Sequence, residues 1–409
     1  MAIGDSLSGL PGRHFLFVPG PTNVAERVLR AISRPMDDHR STAFADVVLP
    51  LLQDLKALFR TADAQPFVFA ATGTGGWEAA LVNTCSPGER LLAVRNGQFS
   101  NGFAESAGRH GLVVDAIDVA WGEGVPALQV GEALAADGAR RIKGVLMVYN
   151  ETSTGVCSDV AAVRRAMDAT GHPALLYVDA VSAMGSLPFE MDRWGVDLAV
   201  TASQKGLGLP PGLAIVCASQ KALAHAETAR CARSFFDFAG MARSNRDGYF
   251  PYTPAIGLLF GLREALAILF EEGLDAVYER HRRLASGVRA AVAAWGLDVS
   301  ARRPEWFSDS VTAVVVPDGV NSDEVVDTAF GRYNLSLGRG LGRLAGRAFR
   351  IGHMGDVNEL MVLGALCGVE MAMADVGIDV TVGAGVAAAA CHFRGTHSKF
   401  EGRPGGGVR

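Results

Sequence analysis

The sequence predicts an α/β fold, in which a large domain with a mostly parallel seven-stranded sheet covered by helices precedes a smaller C-terminal α+β domain. From Phe15 to about residue 200, short apolar runs alternate with segments of helical periodicity. Continuous apolar strands separated by helices are typical of a parallel sheet that is buried on both faces. After residue 256 the pattern changes to a long helical stretch and then to a second, shorter set of strands and helices.

Seven apolar runs predict the strands of the large sheet, namely 66–70, 90–94, 111–115, 144–149, 174–178, 198–201 and 213–216. Helical patterns lie between them, at 76–83, 99–110, 125–138 and 160–170. A helix between two strands is the usual connection of a parallel sheet, because it returns the chain to the starting edge.

The second half predicts a long helical stretch over 256–295, interrupted at Glu272 and Gly273, and the domain boundary is placed there. Beyond it, strands are predicted at 310–316 and 348–351, and helices at 322–333 and 357–376. The predicted division is an N-terminal arm (1–20), a large domain (21–272), a small C-terminal domain (273–392) and a glycine-rich disordered tail (393–409).

Composition excludes several classes of function. The 409 residues include 38 basic and 43 acidic side chains, which gives a net charge of −5 and no electrostatic case for nucleic-acid binding. Six scattered cysteines and nine histidines show no spacing typical of a zinc site or a disulfide framework. The sequence begins without a signal-peptide pattern and has no apolar run of membrane-spanning length. We therefore expect a cytoplasmic protein without a metal, nucleic-acid or membrane partner.

A glycine-rich turn follows the first predicted strand, in the segment Ala71-Thr-Gly-Thr-Gly-Gly-Trp-Glu78. Glycines at a helix N-terminus allow backbone N–H groups to approach an anion, which the helix dipole also favours. The segment is not a P-loop, because no Gly-Lys-Ser/Thr follows. On the pattern alone, a tight turn without a ligand explains it equally well.

Asp179 stands at the end of an apolar strand, where open α/β sheets bind ligands. A carboxylate in this position could cap the next turn. It could also be the counter-ion of a buried cation, such as a protonated pyridine nitrogen. The residue alone does not decide between these two readings.

Lysine occurs at only five positions, 56, 143, 205, 221 and 399, whereas the other basic residues are arginine. Lys205 follows a strand and precedes a loop rich in glycine and proline, so its side chain could be held against a cavity. A desolvated lysine has a lowered pKa and can form a Schiff base with an aldehyde. The alternative is an ordinary lysine on a surface loop.

Taken in order, these segments resemble the class V (fold type I) pyridoxal-phosphate aminotransferases, and most closely their serine–glyoxylate and alanine–glyoxylate group. The resemblance runs from Phe17 to about Ala390, nearly the whole chain. Its most specific stretches are Thr72-Gly-Thr-Gly, Asn150-Glu-Thr-Ser-Thr-Gly-Val156, Met191-Asp-Arg-Trp-Gly-Val-Asp197, Ser203-Gln-Lys205, Phe250-Pro-Tyr-Thr-Pro254 and Phe349-Arg-Ile-Gly-His353.

The resemblance implies a pyridoxal 5′-phosphate site in which Lys205 bonds to the cofactor aldehyde and later moves the proton from the substrate α-carbon. Asp179 would keep the pyridine nitrogen protonated. The other implied cofactor contacts are Thr74, Gly75 and Gly76 at the phosphate, Gln204 at the phosphate or another part of the cofactor, Phe99 and Val181 on the ring, and Thr152 at the phenolic oxygen. Without the motifs, Phe99 and Val181 would be read as core residues.

The same resemblance implies that Arg350 binds the substrate carboxylate, for which a structural ion pair is the alternative. A neighbouring subunit would contribute Thr253 and a tyrosine to the phosphate, with Tyr252 favoured and Tyr249 left open. His39 and Arg40 would reach across the same interface toward the substrate. Two crossing segments imply at least a homodimer.

The implied reaction moves the amino group of L-serine, or of a similar small amino acid, to glyoxylate, which gives hydroxypyruvate and glycine. Aspartate and alanine remain alternative donors, because one or two pocket residues decide donor choice. A cysteine desulfurase and a catalytically inactive binding protein are the alternatives from other functional classes. Neither is favoured, because no cysteine is well placed and Lys205, Asp179 and Arg350 are all present.

Overall fold

The computed structural model describes residues 10–396. Residues 1–9 of the predicted arm and 397–409 of the predicted tail lie outside this range. The strands are β1 Phe15–Phe17, β2 Gln65–Phe69, β3 Arg90–Arg95, β4 Val113–Asp118, β5 Ile142–Val148, β6 Asn150–Glu151, β7 Val156–Cys157, β8 Leu175–Asp179, β9 Leu198–Ala202, β10 Ala214–Ala218, β11 Asp298–Val299, β12 Val311–Val315, β13 Leu335–Arg339 and β14 Ala348–Gly352.

The helices connect and cover these strands. They are α1 Glu26–Ile32, α2 Thr42–Phe59, α3 Gly73–Thr84, α4 Gln98–Arg109, α5 Ala127–Ala136, α6 Val160–Ala169, α7 Gln220–Ala226, α8 Phe238–Asn245, α9 Ile256–Glu272, α10 Leu274–Ala294, α11 Ser322–Tyr333, α12 Glu359–Asp375 and α13 Ala384–Gly395. Within residues 10–396, none of them is both long and apolar enough to cross a membrane.

The large sheet has seven strands in the order β2-β10-β9-β8-β5-β3-β4. β10 runs opposite to the other six strands, so its pairs with β2 and β9 are antiparallel. The pairs β9-β8, β8-β5, β5-β3 and β3-β4 are parallel. Every residue of β8 is buried, because helices cover both faces of the sheet and leave no face for polar side chains. The predicted seven-stranded, mostly parallel sheet is therefore confirmed.

A second sheet of five strands, in the order β1-β13-β14-β12-β11, forms the smaller layer. Its only parallel pair joins β1 to β13. The start of the described chain, which was predicted as an arm, thus completes the sheet of the C-terminal region. The helix α13 continues to Gly395, so residues 393–395 are helical where a disordered tail was predicted.

Two hydrophobic cores correspond to the two sheets. The helix α9 ends at Glu272, and Gly273, with φ of +86°, starts α10 in a new direction. Val277 still packs in the first core, whereas Leu284 and the rest of the buried face of α10 pack in the second. The change of core occurs just beyond Gly273, and we propose that the boundary between two domains lies there.

Candidate active site

A cavity of about 130 Å³ opens at the carboxyl ends of β8 and β9, beside the N-terminus of α3. Open α/β sheets bind their ligands at this edge, because the connections to the next helices diverge there. Its lining includes seven of the residues predicted from the sequence, Thr74, Phe99, Thr152, Asp179, Val181, Gln204 and Lys205. The remaining lining residues are Thr72, Gly73, Trp77 and Asn150.

A larger cavity of about 450 Å³ lies on the other side of the loop 206–208, between α9 and the segment 355–358. Of its four charged lining residues, Glu271, Glu272 and Arg280 are already paired with arginine or glutamate partners, and Asp356 is exposed to solvent. The smaller cavity, in contrast, contains titratable groups without an ion-pair partner. We therefore locate the chemistry in the smaller cavity.

Lys205 is only 9% exposed, although it lies in a loop, because the segment 18–22 crosses over it. Its Nζ donates a hydrogen bond to the carbonyl oxygen of Pro19 at 2.5 Å. Burial lowers the pKa of Lys205 to about 8, the Arg350 charge adds to this effect, and Asp179 opposes it. The amine therefore loses its proton more readily than an exposed lysine, and this favours nucleophilic and proton-transfer roles.

Gly20 permits this crossing. Its φ is +95°, and a Cβ built there would lie 2.6 Å from the Nζ of Lys205. Any side chain at position 20 would therefore push the lysine from its place. Pro19 and Gly20 adjoin the resemblance motif at Phe17, but sequence reasoning assigned them no role.

Asp179 ends β8 and is only 4% exposed. Its Oδ1 accepts the backbone N–H of Val181 at 2.7 Å, and its Oδ2 accepts Nε1–H of Trp77 at 3.0 Å. Burial raises the pKa of Asp179 to about 7, and these two hydrogen bonds oppose the rise. The carboxylate thus caps the following turn and also lines the cavity, so the two sequence readings are compatible.

The N-terminus of α3 supplies the anion-binding geometry. The first N–H groups of a helix have no partner within the helix, and Gly73 and Thr74 line the cavity. Gly75 and Gly76 do not line it, and the N–H of Gly76 donates to the carbonyl of Thr72 at 3.0 Å. A Cβ at Gly76 would lie 2.5 Å from Val200, so this glycine lets α3 pack closely on the sheet.

Two buried amide oxygens in the cavity lining, Oε1 of Gln204 and Oδ1 of Asn150, have no hydrogen-bond partner among the described residues. Buried polar atoms are rarely left unpaired, so such atoms point to a missing ligand. The lysine amine, the buried carboxylate and the free helix N-terminus match the aldehyde, the ring nitrogen and the phosphate of pyridoxal phosphate, and the two amide oxygens would accept hydrogen bonds from donors of a bound ligand. The residues present therefore fit this cofactor.

Thr152 follows β6 and Phe99 lies at the start of α4, and hydrogen bonds of Glu151 connect these two elements. The carboxylate of Glu151 is fully buried and accepts the N–H of Phe99 at 3.3 Å and that of Ser100 at 2.9 Å. The hydroxyl of Thr152 donates to Oγ of Ser182 at 2.7 Å. Glu151 belongs to the motif Asn150–Val156, but sequence reasoning gave it no function.

Arg350 lies on β14 and is 7% exposed. Its Nε donates to the carbonyl of Arg339 at 2.9 Å and its Nη1 to the carbonyl of Thr152 at 3.2 Å. No carboxylate of residues 10–396 lies within salt-bridge distance of its guanidinium, so the alternative of a structural ion pair is not observed. Burial lowers the pKa of Arg350 to about 10, which leaves it charged at neutral pH and suited to a carboxylate ligand.

Seven predicted site residues do not line the cavity of their own chain, namely Gly75, Gly76 and Arg350, described above, and Tyr252, Thr253, His39 and Arg40. The ring of Tyr252 stacks on Phe235 with centroids 4.4 Å apart, and Oγ1 of Thr253 lies 3.5 Å from Nε2 of His39. Arg40 is exposed in the same turn as His39. The structure thus brings the two segments that were predicted to cross an interface together on one surface.

The lining residues that sequence reasoning missed are Thr72, Gly73, Trp77 and Asn150. All four lie inside motifs that were recognised, so their positions were visible and only their contacts were not. Among residues 10–396, no group of three or more His, Cys, Asp or Glu side chains is arranged to hold a metal ion.

Comparisons with known proteins agree with this geometry. The family model described as Aminotransferase class-V matches residues 14–335. The serine–glyoxylate aminotransferase of Methylorubrum extorquens is 52% identical over 389 residues, which cover 94% of this chain and 97% of the relative. The L-aspartate–glyoxylate aminotransferase of Paracoccus denitrificans is 51% identical over 381 residues, or 93% of this chain and 96% of the relative.

Solved structures share the whole architecture. The crystal structure of ureidoglycine–glyoxylate aminotransferase from Bacillus subtilis superposes with a TM-score of 0.87 at 26% identity, covering 94% of this chain and 99% of that chain. Because the family model spans more than half of the sequence and relatives at about half identity span nearly all of it, the chain belongs to the class V aminotransferases, a family that uses pyridoxal phosphate.

Proposed function

We propose that this chain is a pyridoxal-phosphate-dependent transaminase that transfers the amino group of L-serine to glyoxylate, giving hydroxypyruvate and glycine. The observation that carries the proposal is that Lys205 and Asp179 line one cavity, while Arg350, which has no ion-pair partner among residues 10–396, donates to the carbonyl of Thr152 in the same lining. The substrate pair follows from the names of relatives such as the Methylorubrum extorquens enzyme, 52% identical to this chain.

The cofactor would be held from several elements of the large domain. Lys205 would face its aldehyde and Asp179 its ring nitrogen, and the N-terminus of α3 with Gln204 would face its phosphate. Phe99, Val181 and Thr152 would contact the ring and its phenolic oxygen. When bound, pyridoxal phosphate supplies an aldehyde that reacts with amines and a ring that accepts the electron pair of the substrate α-carbon.

Lys205 would carry the proton during the reaction. Its pKa of about 8 places the amine near the balance between the neutral and charged forms at physiological pH, which suits both proton uptake and release. The carbonyl of Pro19, which accepts the hydrogen bond from Nζ, would orient the lone pair of the amine when the cofactor is released from it. Asp179 would meanwhile hold a proton on the ring nitrogen.

Arg350 would bind the α-carboxylate of the amino acid and then that of glyoxylate. Its guanidinium is already oriented by the carbonyls of Arg339 and Thr152, so little side-chain entropy is lost on binding. Thr152 lines the cofactor cavity, so the carboxylate would be held beside the reacting centre. Both half-reactions would use the same clamp, because both substrates carry a carboxylate next to the reacting carbon.

The test is to load the purified protein with pyridoxal phosphate and measure hydroxypyruvate formed from L-serine and glyoxylate. We expect turnover with serine, and absence of hydroxypyruvate would rule out this substrate pair. A panel of serine, aspartate and alanine against glyoxylate, compared by kcat/KM, would then rank the donors.

Aspartate is the second candidate donor, because the Paracoccus denitrificans relative named for aspartate is 51% identical to this chain, nearly as similar as the first. A kcat/KM that is higher for aspartate than for serine would replace the leading proposal with this one. Alanine is the third donor in the panel.

A cysteine desulfurase would need a thiol near the substrate. Cys367 lies in α12 and Cys391 in α13, and no cysteine lines the cavity formed by the described residues. Incubation with L-cysteine should therefore release no sulfide. Sulfide release would reverse this ranking.

We also propose that the active unit is a homodimer in which Thr253, Tyr252, His39 and Arg40 complete the site of the neighbouring subunit. These residues lie together on the surface and not in the cavity of their own chain. Analytical ultracentrifugation tests the dimer. Mixing an inactive Lys205→Ala chain with an inactive Thr253→Ala chain tests the crossing, because only shared sites would restore activity in the mixed dimer.

A further inference from the structure

Trp77 has been given no role in cofactor binding or in the reaction so far, yet its side chain contacts Asp179, the buried carboxylate that lines the cavity. It lies at the start of the second turn of α3, is buried, and donates Nε1–H to Oδ2 of Asp179 at 3.0 Å. The same side chain lines the cavity.

We propose that Trp77 is a positioning residue whose indole N–H fixes the carboxylate of Asp179 in its ionised form and aims its free electron pair at the ring nitrogen of the cofactor. This inference rests on the proposed function, because it assumes that pyridoxal phosphate binds in this cavity. It adds to that function a residue that sets the proton on the ring nitrogen through Asp179.

Asp179 needs such a donor because its surroundings disfavour charge. Burial raises the pKa of its carboxyl to about 7, and the buried carboxylate of Glu151 raises it further. The backbone N–H of Val181, Nε1–H of Trp77 and the charge of Lys205 oppose this rise. The backbone N–H of Val181 bonds to Oδ1 of Asp179, whereas the indole N–H of Trp77 bonds to Oδ2. Of these two donors, only that of Trp77 belongs to a side chain.

The direction of the indole N–H is set by packing. The ring of Trp77 stacks on Phe103 of α4 with centroids 5.3 Å apart and planes 19° apart. The backbone of Gly102, one residue earlier, also lies against the indole, since a Cβ there would make an ordinary van der Waals contact with it at 3.4 Å. The indole is therefore fixed between two helices, and Asp179 receives a donor from a rigid position.

The decisive variant is Trp77→Phe, which keeps an aromatic ring against Phe103 and removes only the N–H. The measurement is the affinity of the cofactor-free protein for pyridoxamine 5′-phosphate, which binds without bonding to Lys205. We expect the affinity to fall by roughly tenfold or more, the usual cost of losing a hydrogen bond to a charged group. Without the donor the pKa of Asp179 rises, so the loss of affinity on acidification should begin at a higher pH than in the wild type.

A ligand analogue separates this role from simple packing. The analogue carries a carbon in place of the ring nitrogen, so Asp179 cannot recognise it. If Trp77 acts through Asp179, wild type and Trp77→Phe should bind the analogue about equally. An equal loss for both ligands would overturn the proposal, and so would an unchanged affinity for pyridoxamine phosphate. The matched control is Trp121→Phe, which removes an indole N–H outside the cavity lining, beside Arg343, and should not shift the pH profile.

A measurement on the unaltered indole covers the case in which Trp77→Phe does not fold. With ¹⁵N-labelled tryptophan, one of the five indole N–H resonances of the cofactor-free wild type should titrate with a midpoint near 7, and this titration should vanish in Asp179→Asn. If no indole resonance titrates, the proposal fails. A wild type that does not bind pyridoxamine phosphate would refute the proposed function instead, so the two failures are distinguishable.

Discussion

Lys205, Asp179 and Arg350 are buried ionisable groups that lack a close ion-pair partner within residues 10–396. Burial moves the pKa of each one toward its neutral form, to about 8, 7 and 10 respectively. A protein that only needed to be stable would pair such groups or replace them with apolar ones. In the proposed function, the aldehyde and ring nitrogen of the cofactor and the carboxylate of the substrate would be the partners of these three groups.

The substitution Arg350→Lys tests the carboxylate clamp. Lysine keeps the charge but loses the planar pair of donors and the contacts to the carbonyls of Arg339 and Thr152. We expect the KM for the amino donor to rise by roughly ten- to a hundredfold, with a smaller change in kcat. Steady-state kinetics measure both constants. The control is Arg347→Lys, an exposed arginine just before the same strand, and equal effects of both variants would contradict the assignment.

The lowered pKa of Lys205 predicts a specific pH dependence. The neutral amine is the reactive form, and it should appear as the pH rises through about 8 and not through about 10.5. The rate at which cofactor-free protein forms its yellow complex with pyridoxal phosphate should therefore reach half of its maximum near pH 8. Lys205→Ala should stay colourless. Colour in that variant, with borohydride trapping the cofactor on another lysine, would contradict the role of Lys205.

At the scale of helices and strands, Glu151 holds two elements of the site in place. Its carboxylate accepts N–H groups from Phe99 and Ser100 at the start of α4, and the N–H and hydroxyl of Ser153 beside β6. A Cβ at Gly97 would lie 2.3 Å from the side chain of Glu151, so this glycine makes the approach possible. The negative charge also favours the N-terminus of α4 through the helix dipole.

Glu151→Gln should loosen this junction. The carboxylate accepts hydrogen bonds at both oxygens, whereas the glutamine amide would place an NH₂ group, itself a donor, against N–H and O–H donors. We expect a loss of about 2–3 kcal/mol in the free energy of unfolding, measured by urea denaturation. Amide hydrogen exchange at Phe99 and Ser100 should become faster. Glu105→Gln, on the exposed face of the same helix, is the control and should change stability by less than about 0.5 kcal/mol.

The large sheet was predictable because its central strands are apolar on both faces, so that runs such as 174–178 stand out against amphipathic helices. The strands β1 and β13 were not predicted. The first has only three residues, and the second alternates buried and partly buried positions next to glycine, so neither forms a continuous apolar run. Their pairing joins residues 15 and 335, a contact that local patterns do not encode.

Within the site, the ends of strands and the motifs indicated Lys205 and Asp179, because position along an element is a local property. The contacts of Trp77, Glu151 and Pro19 depend on how separate elements pack, so they became visible only in the structure. The glycine turn shows the same limit. The phosphate contact predicted for Gly76 stays a prediction, and the structure adds that this glycine lets α3 lie close to Val200 of β9, which the pattern did not indicate.

At the scale of the whole molecule, the cavity is lined by residues 72–205 around the large sheet, and the small sheet reaches it through Arg350, which donates to the carbonyl of the lining residue Thr152. Lys205 and Asp179 come from the large sheet, whereas Arg350 comes from β14 of the small one. The chain from β1 to Asn23 links the two bodies, since it starts in the small sheet and then crosses Lys205. Gly338, on β13, allows this crossing, because a Cβ there would lie 2.7 Å from Pro19.

The crossing predicts that the residue at position 20 determines where the side chain of Lys205 lies, although the two residues are far apart in the sequence. In Gly20→Ala, the added methyl group would occupy the space of the lysine side chain, 2.6 Å from Nζ, and it would also strain a backbone with φ of +95°. Gly12→Ala is the matched control, since its φ is +93° and a Cβ there meets nothing within 4 Å. Both variants should lose about 1–2 kcal/mol of stability from the backbone. Only Gly20→Ala should also lower the rate of complex formation with pyridoxal phosphate, by at least about tenfold if displacing the amine costs 1.4 kcal/mol or more. Stopped-flow absorbance measures the rate and thermal denaturation the stability; equal rates in the two variants would mean that the crossing segment does not position the lysine.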